Sequence, residues 1–207
     1  MGGKRSRIPS LLTADILPRR VQGRRYKLSR VPQEIIDRFD RFVAVDVEIA
    51  GRTPVRVCAI GAACFEAGVE IDHFESLVCV KGPIHYTGIH GLAASDLRGA
   101  PLWPTVWGSF CRFLRDVNLL VAFRAEFDRG AILTMCGRDG IRVPRMHFEC
   151  AASVVKAQFG WSLGLSESIA RLGLPFPGRP HDPLSDARAA AAIVMECTRR
   201  RAAAIGG

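Results

Sequence analysis

Four acidic residues and one histidine have types and spacings that fit the chemistry of a divalent cation. Asp46 and Glu48 lie two residues apart in the apolar run 43–48. Residues two apart in a strand point to the same face, so these carboxylates project side by side. Their mutual repulsion and their desolvation both cost free energy, and a bound Mg²⁺ or Mn²⁺ would remove both costs. The alternative is that this face of the strand end simply lies in water.

A third carboxylate follows a second apolar run. Residues 119–123 predict a buried strand, and Asp128 falls in the first turn of the helix that is predicted to follow it. Phe127, its neighbour, is expected to face the core. An acidic side chain at a helix N-terminus also interacts favourably with the helix dipole, so Asp128 could serve the helix alone.

The remaining candidates lie at the start of the last predicted helix. Asp182 followed by Pro183 is typical of an N-cap with proline at the first helical position. This places Asp186 one turn into the helix and leaves His181 on the loop before it. A fixed carboxylate suits a metal ligand, and a mobile imidazole suits a general base. An ordinary surface-loop histidine is the alternative for His181.

The elements around these residues predict an α/β fold with a mixed sheet. Three strand-like runs, 41–48, 55–65 and 69–80, have short connections that favour an antiparallel meander. The apolar residues of 101–115 lie at helical spacing with one inward face: Trp103, Val106, Trp107, Phe110 and Leu114. Other helices are predicted at 33–40, near 89–97, at about 125–136, at 151–159, at 165–172 and from 183 to about 200.

Positive charge is concentrated at the start of the chain. Nine of the 29 Lys and Arg residues lie within residues 1–33, together with one acid, Asp15, in a chain of net charge +9. We therefore divide the chain into a basic arm, 1–31, which is expected to be flexible, and a domain, 32–207. Such an arm favours a polyanion partner, most simply nucleic acid. A solubilising tail is the alternative.

The seven cysteines are scattered, with no Cys-x-x-Cys pair, and most lie in apolar stretches. A disulfide framework or a structural zinc site is therefore not expected, and a reducing cytoplasm is the predicted location. His147 and Cys150 are interpreted as ordinary loop and core residues. No apolar run approaches the roughly 18 residues that span a bilayer, so no membrane partner is expected.

Taken in order, the pattern Asp-x-Glu, Asp, then His-x4-Asp resembles the DEDDh (DnaQ-like) 3′→5′ exonucleases of the RNase H-like fold. The resemblance runs from about residue 42 to residue 197. Residues 56–61 resemble the second strand of that family. Residues 89–101 resemble its "GIT…D…P" segment, and residues 162–174 resemble the helix before its last motif.

The resemblance implies an RNase H-like mixed sheet of about five strands, the first three antiparallel, flanked by helices. It also implies a two-metal phosphodiester hydrolysis in which two Mg²⁺ or Mn²⁺ ions are held by Asp46, Glu48, Asp128 and Asp186. His181 would take the proton of the attacking water. The last nucleotide of a single-stranded DNA or RNA would then leave as a 5′-monophosphate. Many members of the family are dimers or act in larger assemblies, so a homodimer or a larger assembly stays open.

The sequence departs from the family where the family touches the terminal nucleotide. Phe123 and Arg124 replace a His-Asn pair there, and Ile49 replaces a threonine. Elsewhere, Pro183 replaces a usual small residue. These changes spare the acids but leave substrate choice and rate open. Two other hypotheses follow: a nucleic-acid-binding module that kept the fold without useful turnover, and the same site acting on a dinucleotide or small oligonucleotide.

Overall fold

The computed structural model describes residues 40–205. The predicted arm, 1–31, and all but the last residue of the helix predicted at 33–40 lie outside the described residues. No helix within 40–205 combines the length and the apolar character that crossing a membrane requires.

Strands fill the first half of the described chain and helices dominate the second half. The strands are β1 (Arg41–Arg52), β2 (Val55–Glu66), β3 (Val69–Leu77), β4 (Leu119–Ala122) and β5 (His147–Cys150). The helices are α1 (Thr87–His90), α2 (Trp103–Leu114), α3 (Ala125–Arg138), α4 (Ala151–Phe159), α5 (Leu165–Leu172) and α6 (Pro183–Ile205).

The five strands form one sheet in the order β3-β2-β1-β4-β5. β1 pairs with β2, and β2 with β3, in antiparallel fashion, whereas β4 is parallel to β1 and β5 is parallel to β4. This confirms the predicted mixed sheet with three antiparallel strands at its start. Helices pack on both faces of the central strand β1.

The side chains of β1 alternate between two cores. The odd-numbered residues of 43–47 pack beneath α2 and α3, and all five predicted inward residues of α2 are buried there. Phe42 and Ala44 point to the opposite face and pack with α6. Since side chains in a strand alternate, Asp46 and Glu48 continue the face that looks towards α6. The carboxylates of Asp46 and Glu48 therefore face the helix that carries Asp186.

Several boundaries differ from the sequence predictions. β1 continues through residues 49–52, which were predicted as a connection, and β3 ends at Leu77 rather than at residue 80. The helix predicted near 89–97 is only the four-residue α1, because Gly91 at its end takes a left-handed φ of 79°. β5 had no place in the sequence prediction, and His147 and Cys150 are its two end residues.

Candidate active site

Asp46 and Glu48 lie on a part of β1 that extends beyond its parallel neighbour. The register pairs Val43 with Leu120 and Ala44 with Val121, and β4 then ends at Ala122. The β1 segment that follows therefore borders a gap between the strand and the start of α3. Both carboxylates are partly buried on this segment.

Asp128 fills that gap from the α3 side. Its side chain is only 2% exposed, and its carboxylate accepts a hydrogen bond of 3.1 Å from the backbone N–H of Val47. The prediction that Phe127 faces the core is wrong, since that side chain is 43% exposed. The buried face of α3 passes through Ala125, Asp128 and Ile132, and Phe127 lies outside it.

The start of α6 fixes Asp186. The Asp182 carboxylate accepts hydrogen bonds from the backbone N–H of Ser185 at 3.0 Å and from its hydroxyl at 2.6 Å, which is the predicted N-cap before Pro183. Asp186 is 9% exposed, and its carboxylate oxygens accept the backbone N–H of His181 at 3.2 and 3.3 Å. His181 adopts a positive φ of 63° and keeps its side chain exposed.

Gly61 is a site residue that the sequence analysis did not single out. It pairs with Asp46 across the β1–β2 ladder. A Cβ atom at this position would overlap the backbone of Pro183 and Leu184, with the Leu184 Cα only 2.6 Å away. The missing side chain therefore lets the first turn of α6 rest directly on β2. The sequence signal that could have pointed to Gly61 was the resemblance of residues 56–61 to the second strand of the family.

Glu48, His181 and Asp186 come together tightly. One possible ligand atom from each lies within 4.8 Å of the other two. Asp46 and Asp128 are close enough to act electrostatically on the same group of carboxylates. The five residues proposed from the sequence are therefore neighbours at one edge of the sheet, contributed by β1, α3 and the start of α6.

Burial and repulsion raise the pKa values of the acids in this group. Burial raises the pKa of Asp46 well above its usual range, with further increases from Asp128, Asp186 and Glu48. Burial, followed by repulsion from Asp186 and Asp128, raises the pKa of Glu48 to about 7. Burial raises the pKa of Asp128 to about 7 despite the Val47 hydrogen bond, and that of Asp186 to about 6 despite its contacts with His181.

These residues fit a divalent cation. In the described part of the chain, no lysine or arginine is among the groups that shift the pKa values of the four acids. A cluster of buried carboxylates without a cationic side chain is stabilised when a metal ion supplies the missing charge. Oxygen ligands of this type prefer Mg²⁺ or Mn²⁺ to softer metals.

The sequence model of the RNase T exonuclease family matches residues 43–194, which include every residue of this site. The chain belongs to this exonuclease family. It is a DEDDh-type hydrolytic nuclease domain, and the fold family uses divalent metal ions. None of the curated proteins matches the chain in sequence.

Solved structures share the fold of this exonuclease domain. The nuclease domain of 3′hExo, described as a DEDDh family member bound to rAMP, has a TM-score of 0.65 and 14% identity over 78% of this chain and 92% of its own. Exonuclease X, in complex with 5′-overhanging duplex DNA, has a TM-score of 0.61 and 18% identity over 77% and 92%. Pop2p of S. pombe, in a Mg²⁺- and Mn²⁺-bound form, has a TM-score of 0.64 and 15% identity over 81% and 86%.

A cleft of about 400 Å³ adjoins the carboxylates of the exonuclease domain. His90, Leu92, Arg179 and His181 are among its lining residues, with β2 and β3 on the other side. Of the three residues predicted to contact the terminal nucleotide, Ile49 and Phe123 have buried side chains that belong to the two cores. Only the Arg124 side chain is exposed.

Proposed function

We propose that this exonuclease domain is a metal-dependent 3′→5′ exonuclease acting on single-stranded DNA or RNA. It hydrolyses the phosphodiester bond at the 3′ end and releases 5′-mononucleotides. The observation that carries the proposal is the meeting of Asp46, Glu48, Asp128, Asp186 and His181 at one sheet edge, although they come from three separate parts of the chain.

The four carboxylates are the proposed metal ligands. Asp46, Glu48 and Asp186 would hold one ion, and Asp46 would be shared with a second ion placed with the help of Asp128. Two divalent ions in such a site stabilise the negative charge on the attacking and leaving oxygens of a phosphodiester. Mg²⁺ and Mn²⁺ are the proposed ions.

His181 is the proposed general base. Its backbone is held by the Asp186 carboxylate while its imidazole lies at the surface, where it can exchange protons with solvent. It accepts a proton as a water oxygen forms a bond to the terminal phosphorus. The bond from that phosphorus to the 3′ oxygen of the preceding nucleotide breaks. The phosphate stays on the released nucleotide, and the shortened strand recovers a 3′ hydroxyl with a proton from solvent.

End-labelled oligonucleotides test direction and metal dependence together. A single-stranded oligomer labelled at either its 3′ or its 5′ end is incubated with Mg²⁺, with Mn²⁺ or with chelator, as DNA and as RNA. The proposal predicts labelled mononucleotide at once from the 3′ label and a descending ladder from the 5′ label, in metal only. The mirror-image pattern would contradict the proposed direction.

A nucleic-acid-binding module without useful turnover is the second candidate. The specific observation in its favour is the pair Phe123 and Arg124 in place of the family's His-Asn. This candidate predicts that the protein binds the oligomer but does not cut it with either metal. Cleavage confined to dinucleotides would instead support a small-substrate enzyme. A cytoplasmic location is a further proposal, in keeping with seven free cysteines.

A further inference from the structure

A second cleft of about 210 Å³ lies beside the first turns of α3 and α4. Its polar lining includes Arg124, Lys156, Ser153 and Ser162, whereas the hydroxyl of Ser168, which also lines it, donates to the carbonyl of Gly164 at 2.8 Å. None of the described residues that line it carries a carboxylate. The cleft therefore offers two positive charges and the hydroxyl groups of two serines to a ligand.

The strand order places this cleft next to the metal carboxylates. β1, β4 and β5 are parallel neighbours, so their carboxyl ends lie at the same edge of the sheet. Arg124 follows the end of β4 by two residues, and α4, which carries Ser153 and Lys156, begins directly after β5. Two strand spacings separate β1 from β5, or about 10 Å. A nucleic acid strand covers that distance in roughly three stacked nucleotides at about 3.4 Å each, and in fewer when it is extended.

Both cations are left without a counter-charge by the folded domain. Within residues 40–205, the side chains of Arg124 and Lys156 have neither an ion pair nor a hydrogen bond. Arg188, by contrast, makes a bidentate ion pair with Glu70 at 2.6 and 2.8 Å. Arg124 also stands at the N-cap of α3, where the helix dipole disfavours a cation. An anion in the cleft would offset that cost.

The residues that line the cleft suit a phosphate group better than a stacked base. Its volume is below the 300 Å³ or more that is typical of pockets for small molecules. Trp161 is the aromatic residue of the lining, and its indole is already stacked on Phe159 with ring centroids 4.6 Å apart. The Arg171 guanidinium lies 4.5 Å from the Trp161 ring centroid. The indole therefore has stacking partners within the fold.

We propose that Arg124 and Lys156 bind a phosphodiester group of the single strand on the 5′ side of the bond that is cleaved. This inference rests on the proposed function, because it requires the 3′ end of the nucleic acid to lie at the metal site and its 5′ part to lead away from that site. A planar guanidinium can hold two phosphate oxygens at once. The departure at residue 124 then favours substrates that are long enough to reach the cleft.

The test compares a long substrate with a minimal one. The full-length double variant Arg124→Ala/Lys156→Ala is assayed with Mn²⁺ on a single-stranded oligonucleotide and on the p-nitrophenyl ester of thymidine 5′-monophosphate, which has no phosphodiester on the 5′ side of the bond that is cleaved. The ratio of kcat/KM for the oligonucleotide to kcat/KM for the ester should fall about tenfold or more, mainly through KM. The matched control is Arg142→Ala/Arg145→Ala, since both arginines are exposed and precede β5 at the opposite sheet edge.

Binding of the same oligonucleotide in chelator separates this inference from the proposed function. Fluorescence anisotropy at several salt concentrations should show weaker binding by the double variant than by the control. The slope of log affinity against log salt should become shallower by about 0.7 for each phosphate that the variant no longer neutralises. If wild type cleaves neither substrate but these binding differences appear, the cleft assignment stands and the nuclease proposal fails. Equal binding and an equal ratio in the double variant and the control would overturn the cleft assignment.

Discussion

The backbone N–H of Val47 donates a hydrogen bond of 3.1 Å to the carboxylate of Asp128, which lies 81 residues further along the chain. Val47 stands between Asp46 and Glu48, so this bond fixes Asp128 against the segment that carries two of the other three acids. The carboxylate has two tasks: it satisfies a buried donor of the sheet, and it contributes a negative charge to the cluster. Substitutions of Asp128 can separate the hydrogen bond to Val47 from the negative charge.

We predict that Asp128→Asn lowers nuclease activity at least about a hundredfold with little effect on folding, because the amide oxygen still accepts the Val47 hydrogen bond but the charge is lost. Asp128→Ala should also lose roughly 1–3 kcal/mol of stability, since it leaves the buried N–H unsatisfied. Nuclease rates and thermal melts of both variants check this. Wild-type activity in Asp128→Asn would remove this residue from the proposed metal site.

We predict that His181 is needed for turnover rather than for metal binding. His181→Asn should lower kcat by about 10²–10⁴-fold, the usual contribution of a general base, while Mn²⁺ still raises the melting temperature. The imidazole is close enough to Glu48 and Asp186 to act as a ligand instead. Loss of the metal-induced rise in melting temperature would therefore assign His181 to the ligand set.

The raised pKa values predict a pH-dependent stability of the metal-free protein. Unfolded Asp and Glu titrate near 4, whereas burial and repulsion raise the pKa of Asp186 to about 6 and those of Glu48 and Asp128 to about 7. Between about pH 4 and pH 7, the folded state therefore binds more protons than the unfolded state. The corresponding stability is present below the unfolded pKa and is lost as the pH rises through 6 to 7.

Melting temperatures in chelator should therefore fall between about pH 5 and pH 8, by roughly 2–4 °C for each kcal/mol lost. Saturating Mg²⁺ should raise the melting temperature more at pH 8 than at pH 5, because protons compete for the same oxygens. The double variant Asp46→Asn/Glu48→Gln should flatten the pH dependence and abolish most of the metal effect. A metal effect independent of pH would contradict the raised pKa values.

We predict that Gly61→Ala damages the site without touching a metal ligand. The added methyl group meets the backbone at the start of α6, so the turn that holds Asp186 must move. Overpacking of this kind typically costs about 1–3 kcal/mol, and we expect nuclease activity to fall about tenfold or more. The matched control is Gly137→Ala in α3, whose Cβ would meet nothing within 4 Å. It should be neutral or stabilising by up to about 1 kcal/mol.

We predict that deleting residues 1–31 weakens binding to long single strands and makes its salt dependence shallower, because the deletion removes nine of the 29 basic residues. The log–log slope should change by about 0.7 for each phosphate that the arm neutralises. Very short substrates should be affected little. An unchanged slope on long strands would leave the arm a solubilising tail.

Local signals predicted some elements closely. α4 and α5 match the predicted ranges because left-handed glycines, Gly160 and Gly173, both with φ of 74°, end them. β5 was missed because its four residues lack a strand-length pattern and owe their conformation to pairing with β4. The role of Gly61 was also beyond local reasoning, since it depends on a helix that begins some 120 residues later in the sequence.

The early end of β4 has one more consequence. Past Ala44, β1 has no parallel neighbour in the described chain, and an acidic side chain takes up the Val47 amide that a longer strand could have bonded. The proposed reaction centre is thus a notch at the sheet edge, where β1 lacks hydrogen bonds to β4. A longer β4 would add backbone hydrogen bonds to the sheet but would also fill this notch. The same few peptide groups can therefore either extend the sheet or leave room for the end of a nucleic acid.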